Sequence, residues 1–201
     1  MPRRRGRTGA DRSLEEIAQR LRTDGRRPYI IHLSLGHPPL GALGYVVAAQ
    51  EILAQIAESS STIDEIIVAS GSGATHAGLL FRLRSSGSII PVKGICVRRS
   101  KDLQYQRIVM HCAAIAKLLK ITNPMCNDDL ELSDDKLAPG YGKINDAVLG
   151  AAKLSAHQEG LILDPVYTGR AMARFIHTDA FVAAFANGTG GLADDLILNA
   201  F

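Results

Sequence analysis

Apolar positions along this chain follow two rhythms: short unbroken runs, and longer stretches in which apolar residues recur at helical spacing. The clearest short run, Ile66, Ile67, Val68 and Ala69, breaks into Ser70, Gly71, Ser72, Gly73, Ala74 and Thr75, and a helical pattern with Leu79, Leu80 and Leu83 follows. That succession predicts a strand, a tight loop and a helix start. Further strands are predicted over 28–33, over 89–97 with Pro91 near its start, and over 182–185. Helices are predicted over 42–58, with Val46, Val47, Ile52, Leu53 and Ile56 apolar, and over 104–119, 145–159 and 170–176. Gly160 is placed to end the third of these. Ser13 and Glu16 form a capping-box pattern that opens a short helix through about Arg22, and Asp24 with Gly25 turns the chain. The acid-rich segment 128–135 lacks helical periodicity, precedes Pro139, Gly140, Tyr141 and Gly142, and reads as a surface excursion with a solvated face. Strands and helices alternate, so the expected fold class is α/β: an open, mostly parallel sheet with helices on both faces.

Charge refines the domain picture. Residues 1–27 hold nine arginines within a chain of net charge +3, which leaves the remainder slightly acidic. We therefore expect a basic N-terminal tail with a short helix over 1–27 and one α/β domain over 28–201. The body offers no basic stripe interleaved with aromatics, which argues against nucleic-acid binding. The arginine-rich start leads into no apolar segment, and no unbroken apolar run approaches the roughly 18 residues of a spanning segment. The expectation is a protein neither secreted nor membrane-bound. Cys96, Cys112 and Cys126 are too few for a disulfide framework, which fits a reducing cytoplasm, and the six histidines show no short-spaced ligand pairing, so no metal is expected.

The candidate chemistry lies in loops. At the carboxyl ends of parallel strands, where loops converge on ligands, stand the polar segments 70–76, 164–169 and 187–191. Glycines let the first of these approach an anion closely, and the free N–H groups of the following helical turn, with the hydroxyls of Ser72 and Thr75, suit a phosphate. Several charge-assisted bonds of roughly 1.5–3 kcal/mol each would hold it. A plain strand-to-helix connector is the competing reading. No lysine follows the glycines in the Walker arrangement, no nucleophile elbow is present, and no acidic ribose anchor sits at dinucleotide spacing. A phosphorylated cofactor fits best.

The segments 26–31, 40–52, 68–80, 138–142 and above all 159–176, where Asp164, Pro165, Val166, Tyr167, Thr168, Gly169, Arg170, Ala171 and Met172 are consecutive, resemble the fold-type II pyridoxal 5′-phosphate enzymes of the D-cysteine desulfhydrase and aminocyclopropane-carboxylate deaminase family. The likeness runs from about Arg26 to Gly191. It implies that the chain corresponds to the larger, cofactor-binding domain, with most of a smaller domain and its cofactor-bearing lysine preceding the matched region. None of the seven lysines, Lys93 and Lys143 included, sits in a matching motif. The resemblance also implies that Ser72, Gly73, Ala74 and Thr75 hold the cofactor phosphate and that Tyr141 and Tyr167 face the substrate. It implies further that Thr168 borders the cofactor and that Thr189 meets its ring nitrogen. The chain departs from the family at 34–39, where glycine, glycine and serine are usual, and after Gly191.

Thr168 stands where the deaminase branch looks to carry glutamate, and a neutral hydroxyl at Thr189 makes the ring a milder electron sink. Both features suit β-elimination from a small amino acid with a sulfur leaving group. The expected activity is a desulfhydrase-type lyase, not expected to act alone without the lysine segment. An aminocyclopropane-carboxylate deaminase and a non-catalytic module for a phosphorylated ligand are the alternatives. Self-association, or association with the missing N-terminal part, is expected to cover apolar surface.

Overall fold

A computed structural model describes residues 7–32, 34–59, 62–178 and 196–198. The chain divides into two compact units, Met1–Pro38 and Pro39–Phe201.

In the first unit, α1 spans Arg7–Thr23. Ser13 lies inside this helix, and its hydroxyl donates to the Gly9 carbonyl at 3.2 Å. The capping-box expectation is therefore corrected: a serine within a helix turns its hydroxyl back onto the preceding turn. The strand expected over 28–33 is also absent from the described residues, Leu33 lying outside them. Tyr29 and Ile31 are 79% and 74% exposed. An apolar run becomes a strand only where its backbone groups meet a neighbouring strand, and this one meets none among the described residues.

The second unit holds α2 (Leu40–Ser59), β1 (Ile66–Ser70), α3 (Ala74–Ser85), β2 (Val92–Cys96), α4 (Lys101–Leu119), β3 (Glu131–Ser133), α5 (Asp146–Glu159), α6 (Thr168–Phe175) and β4 (Leu196–Leu198). All strand pairs are parallel, in the order β3, β2, β1, β4. Every residue of β1 is buried, as befits an inner strand covered on both faces. Its side chains alternate between two cores. Ile66 and Val68 pack with Ala49 of α2 and with Leu79, Leu80 and Leu83 of α3. Ile67 packs instead with Val148 and Ala151 of α5 and with Ala171, Met172 and Phe175 of α6. Each fully buried aliphatic side chain contributes about 1.5–3 kcal/mol, so this alternation alone fixes which helices cover which face. A third cluster, with Ala42, Phe81, Ile108, Cys112 and Ile115, joins α2, α3 and α4.

The acid-rich segment departs from expectation. It forms a short 3-10 turn, Asn127–Asp129, and then β3, the edge strand beside β2. Leu130 packs against the core between α3 and α4. Asp129 accepts from Arg84 Nε at 2.6 Å, and Asp134 accepts from the Lys101 N–H at 3.0 Å. Acidic residues there bind neighbouring elements. The expected strand over 182–185 lies outside the described residues.

By length and composition alone, α2 is the one described helix apolar enough to cross a membrane. It packs closely on α3, where a Cβ built on Gly78 would lie 2.4 Å from the Ala42 carbonyl oxygen. From β1 the chain moves to β2 and β3 by way of α3 and α4, whereas β4 joins the other edge of β1 after α5 and α6. The direction of winding thus reverses at β1. In open α/β sheets such a switch point opens a crevice at the carboxyl ends of the strands.

Candidate functional site

At that crevice β1 ends in Ser70 and the chain turns through Gly71, Ser72 and Gly73 into α3. Gly73 caps the helix at φ 89°, a left-handed conformation that glycine adopts without strain. A Cβ there would also meet Ile108, His111 and Gln104 within 3.4 Å. The Ala74 N–H donates to the Ser72 hydroxyl at 3.3 Å. The N–H groups of Ser72, Gly73, Thr75 and His76, and the Thr75 hydroxyl, take no hydrogen-bond partner from the described residues, although Thr75 and His76 are buried. Donors left open at a helix start in this way suit an anionic acceptor. Beneath the loop, His76 Nδ1 lies 3.3 Å from the Ser70 hydroxyl, which accepts from Gln104 Nε2 at 2.9 Å. Burial pulls the His76 imidazole down to about 4 against the opposing effect of the Val92 backbone, so it is neutral at pH 7.

Tyr167 is brought directly to this loop. A Cβ on Gly71 would meet its ring at 3.1 Å and Val97 at 3.0 Å, so any larger residue would have to displace one of these side chains. The Tyr167 hydroxyl lies 2.8 Å from that of Tyr141, with the rings edge to face at 76°. Over the Tyr141 ring stands the Arg98 guanidinium, 5.2 Å from its centroid. The segment carrying Tyr141 is irregular and is held from two sides. Arg170, fully buried on α6, donates to the carbonyls of Lys136, Gly140 at 2.9 Å and Lys143 at 2.7 Å. Asn145 caps α5 by accepting from the Val148 N–H at 2.9 Å and donates to the Ala138 carbonyl at 2.7 Å. Sequence reasoning missed both residues as site supports. For Arg170 the signal was a basic residue among the small and apolar positions that open α6, Thr168, Gly169, Ala171 and Met172.

Asp164 organises the turn ahead of Tyr167. Its Oδ1 accepts from the N–H groups of Val166 and Tyr167, both at 2.8 Å, and its Oδ2 from the N–H and hydroxyl of Thr168 at 2.9 and 2.7 Å. Burial pushes this carboxyl up, but the bonds from Thr168, Tyr167 and Val166 together outweigh it and hold Asp164 below the usual carboxylate range. The Thr168 hydroxyl also accepts from the Asp164 N–H at 3.0 Å. Thr168 is therefore a brace of the tyrosine turn, with its hydroxyl proton committed to Asp164. Thr189 lies outside the described residues. Lys93 pairs with Glu65, at the amino-terminal side of β1 and away from the loop. Burial, as the largest cause, pushes the thiols of Cys96 and Cys112 up to about 12, so both stay protonated and neither acts as a nucleophile.

The first unit contains one cluster that sequence spacing did not show. Ligand atoms of Asp11, His32 and His37 lie within 4.8 Å of one another. The two imidazoles are stacked with centroids 3.5 Å apart and planes 2° from parallel. Lone pairs of stacked parallel rings point along separate planes and cannot converge on one ion, so this arrangement carries no metal assignment. The carboxylate is instead engaged by the N–H of Ser34 at 2.9 Å and by its hydroxyl.

Comparison with known proteins agrees with this geometry. A family model described as pyridoxal-phosphate dependent enzyme matches residues 6–188. A D-cysteine desulfhydrase of Salmonella paratyphi C (strain RKS4594) is 44% identical over 169 residues, covering 84% of this chain and 50% of that protein. A crystal structure described as that of an ACC deaminase homologue superposes with a TM-score of 0.72 at 35% identity, over 92% of this chain and 53% of the other. The chain thus spans about half the length of these relatives. A match over nearly all of its residues, joined to a parallel sheet whose switch point carries the glycine loop, establishes that this chain belongs to the family of pyridoxal-phosphate dependent enzymes.

Proposed function

We propose that this chain acts in a pyridoxal 5′-phosphate-dependent lyase of the D-cysteine desulfhydrase type, releasing a sulfur leaving group from a small amino acid to give a keto acid and ammonia. The observation that carries this reading is the juxtaposition of the unpartnered N–H groups of Ser72, Gly73, Thr75 and His76 with the hydroxyl pair of Tyr141 and Tyr167. The residues fit the cofactor's phosphate. Ser72, Gly73, Thr75 and His76 offer N–H donors, Thr75 adds a hydroxyl, and the positive end of the α3 dipole adds roughly 0.3–1 kcal/mol. When bound, the cofactor supplies an electron sink that eases loss of the proton beside the amino group and departure of the β-substituent.

The chain's own residues do the rest. Tyr167 sits against the loop backbone and sets the distance between the phosphate site and the reacting end. The shared proton between the Tyr141 and Tyr167 oxygens can be handed to a leaving sulfur by whichever phenol faces it. Arg98, beside Tyr141, adds positive charge at the mouth, where an amino-acid carboxylate would be attracted. Thr189 is assigned to the ring nitrogen by resemblance. The identity to a D-cysteine desulfhydrase, higher than that to the ACC deaminase homologue, favours elimination over deamination of a cyclopropane. A cytoplasmic setting and self-association complete the reading, the latter supported by exposed apolar side chains such as Ile162, 90% exposed.

The test is calorimetric titration with pyridoxal 5′-phosphate, followed by a sulfide-release assay with D-cysteine. Thr75→Val should weaken cofactor binding about tenfold. Unchanged affinity would remove the cradle assignment. Cofactor binding without sulfide release, even after the chain is joined to the lysine-bearing half of a relative, would reduce the chain to a phosphate-ligand module.

A further inference from the structure

We propose that α4 and the arginine just before it form a positioning frame for the glycine loop, with Arg99, Gln104, Arg107 and His111 as its members. The inference rests on the reading of residues 72–76 as a phosphate cradle. Two consecutive loop carbonyls point away from the cradle, and each is held by two of these side chains. The Gly71 oxygen accepts from Arg99 at 2.8 Å and from Gln104 Nε2 at 3.5 Å. The Ser72 oxygen accepts from Arg107 Nε at 2.5 Å and lies 3.1 Å from His111 Nε2, which donates in the tautomer protonated there. Gln104 ties the set together, accepting from Arg99 at 3.3 Å and donating to Ser70 at 2.9 Å.

In a trans peptide the carbonyl of one residue and the N–H of the next point in opposite directions across a rigid plane. Fixing the Gly71 oxygen therefore aims the Ser72 N–H, and fixing the Ser72 oxygen aims the Gly73 N–H, both into the loop. Without these anchors, a glycine-containing turn could flip either plane and present an oxygen to the phosphate. The frame prevents that reversal. It also places two guanidinium charges behind the planes, and a charge-assisted bond at the carbonyl polarises the N–H on the far side of the same peptide.

The frame is built into one helix face. Positions 104, 107, 108 and 111 fall at i, i+3, i+4 and i+7 and share the buried stripe of α4 turned to α3 and the glycine loop. Ile108 fills the core, while Gln104, Arg107 and His111 are buried polar residues on the same stripe. A helix that merely packed on its neighbours would carry apolar side chains at all four positions. Burying a guanidinium and an imidazole there makes sense where they have carbonyls to hold.

The experiment compares the full chain with Arg107→Met, which keeps length and apolar bulk but removes the donor, and with Arg107→Lys, which restores a cationic donor. Affinities for inorganic phosphate, pyridoxal 5′-phosphate and phosphate-free pyridoxal are measured by calorimetry, and the Ser72 and Gly73 amide resonances by NMR. Arg107→Met should weaken both phosphate-bearing ligands about tenfold or more, leave pyridoxal unchanged and shift both amides, and Arg107→Lys should recover part of each loss. A folded Arg107→Met with the parent's phosphate affinity and amide shifts overturns the frame while leaving the cradle standing. A parent chain that binds neither phosphate nor the cofactor overturns the cradle and the frame with it. Should Arg107→Met fail to fold, Arg99→Gln poses the same question at the Gly71 carbonyl, with the Ser72 amide as its readout.

Discussion

Asp164 shows how one short side chain can set an active-site turn. Four donors from three consecutive residues converge on its two oxygens, and each fixes part of the backbone that presents Tyr167. A carboxylate at the start of a helix also meets the positive end of its dipole. Asp164→Ala removes all four bonds and leaves the N–H groups of Val166, Tyr167 and Thr168 without that acceptor, so its cost should reach or exceed the usual cap loss of about 0.5–2 kcal/mol. Thr168→Val removes only the hydroxyl bonds and should cost less, about 1 kcal/mol. Chemical denaturation of the two variants checks the order. Equal losses would mean that the hydroxyl, and not the backbone cap, carries the turn. The nine-residue run that includes Asp164 was the most telling motif in the sequence, yet the division of labour within it was not legible. Type and spacing identify a turn, but only coordinates show that Thr168 spends its proton on Asp164.

At the scale of elements, the contact between α2 and α3 depends on an absent side chain. A Cβ on Gly78 would lie 2.4 Å from the Ala42 oxygen and 2.8 Å from Tyr45 Cβ, distances that only movement of the α2 backbone could relieve. Gly78→Ala should therefore cost about 1–3 kcal/mol, even though alanine favours a helix by about 1 kcal/mol over glycine. Gly150, within α5, has nothing within 4 Å of its built Cβ and serves as the control. Gly150→Ala should stabilise by roughly 0.5–1 kcal/mol. Thermal unfolding of both variants reads the opposite signs, and stabilisation by both would show that the helices are not in close contact. The helices themselves were legible, because apolar periodicity reports a buried face directly. β1 and β2 were legible for the same reason, framed by glycine and proline. The run over 28–33 misled because a strand requires a partner that composition does not show. β3 was missed because acidic residues hid the alternation of Leu130 and Leu132, which is itself a strand signal. The frame on α4 escaped notice in a similar way, its polar members lying within a helix read for its apolar density.

For the whole molecule, the stability of the sheet is tied to a histidine that never meets solvent. His76 lies where α3 enters the sheet, fully buried, and a Cβ on Gly94 of β2 would fall 2.3 Å from its Nδ1. A glycine in β2 thus leaves the space that the imidazole occupies. Protonation there would place a charge in the interior, and burial accordingly lowers the folded-state value from 6.5 to about 4. Because the folded value is depressed, the unfolded chain takes up a proton first as pH falls. Stability is complete above about pH 6.5 and declines as pH drops from there towards 4. Between pH 7 and pH 5 the loss should come to about 2 kcal/mol. The window separates this group from Asp164, whose depressed carboxyl contributes stability that is lost only at lower pH, as pH falls from the ordinary value of 3.8 through its folded value. Urea denaturation at pH 7 and pH 5, on the parent and on His76→Gln, isolates the effect. Glutamine can keep a hydrogen bond to Ser70 but does not titrate, so the variant should lose some stability at both pH values and show little difference between them. The comparison rests on the slope with pH and not on absolute stability, which any change at so crowded a position will lower. An unchanged slope in His76→Gln would assign the pH dependence to other groups and would mean that the imidazole accepts its proton without opening the junction between α3 and the sheet.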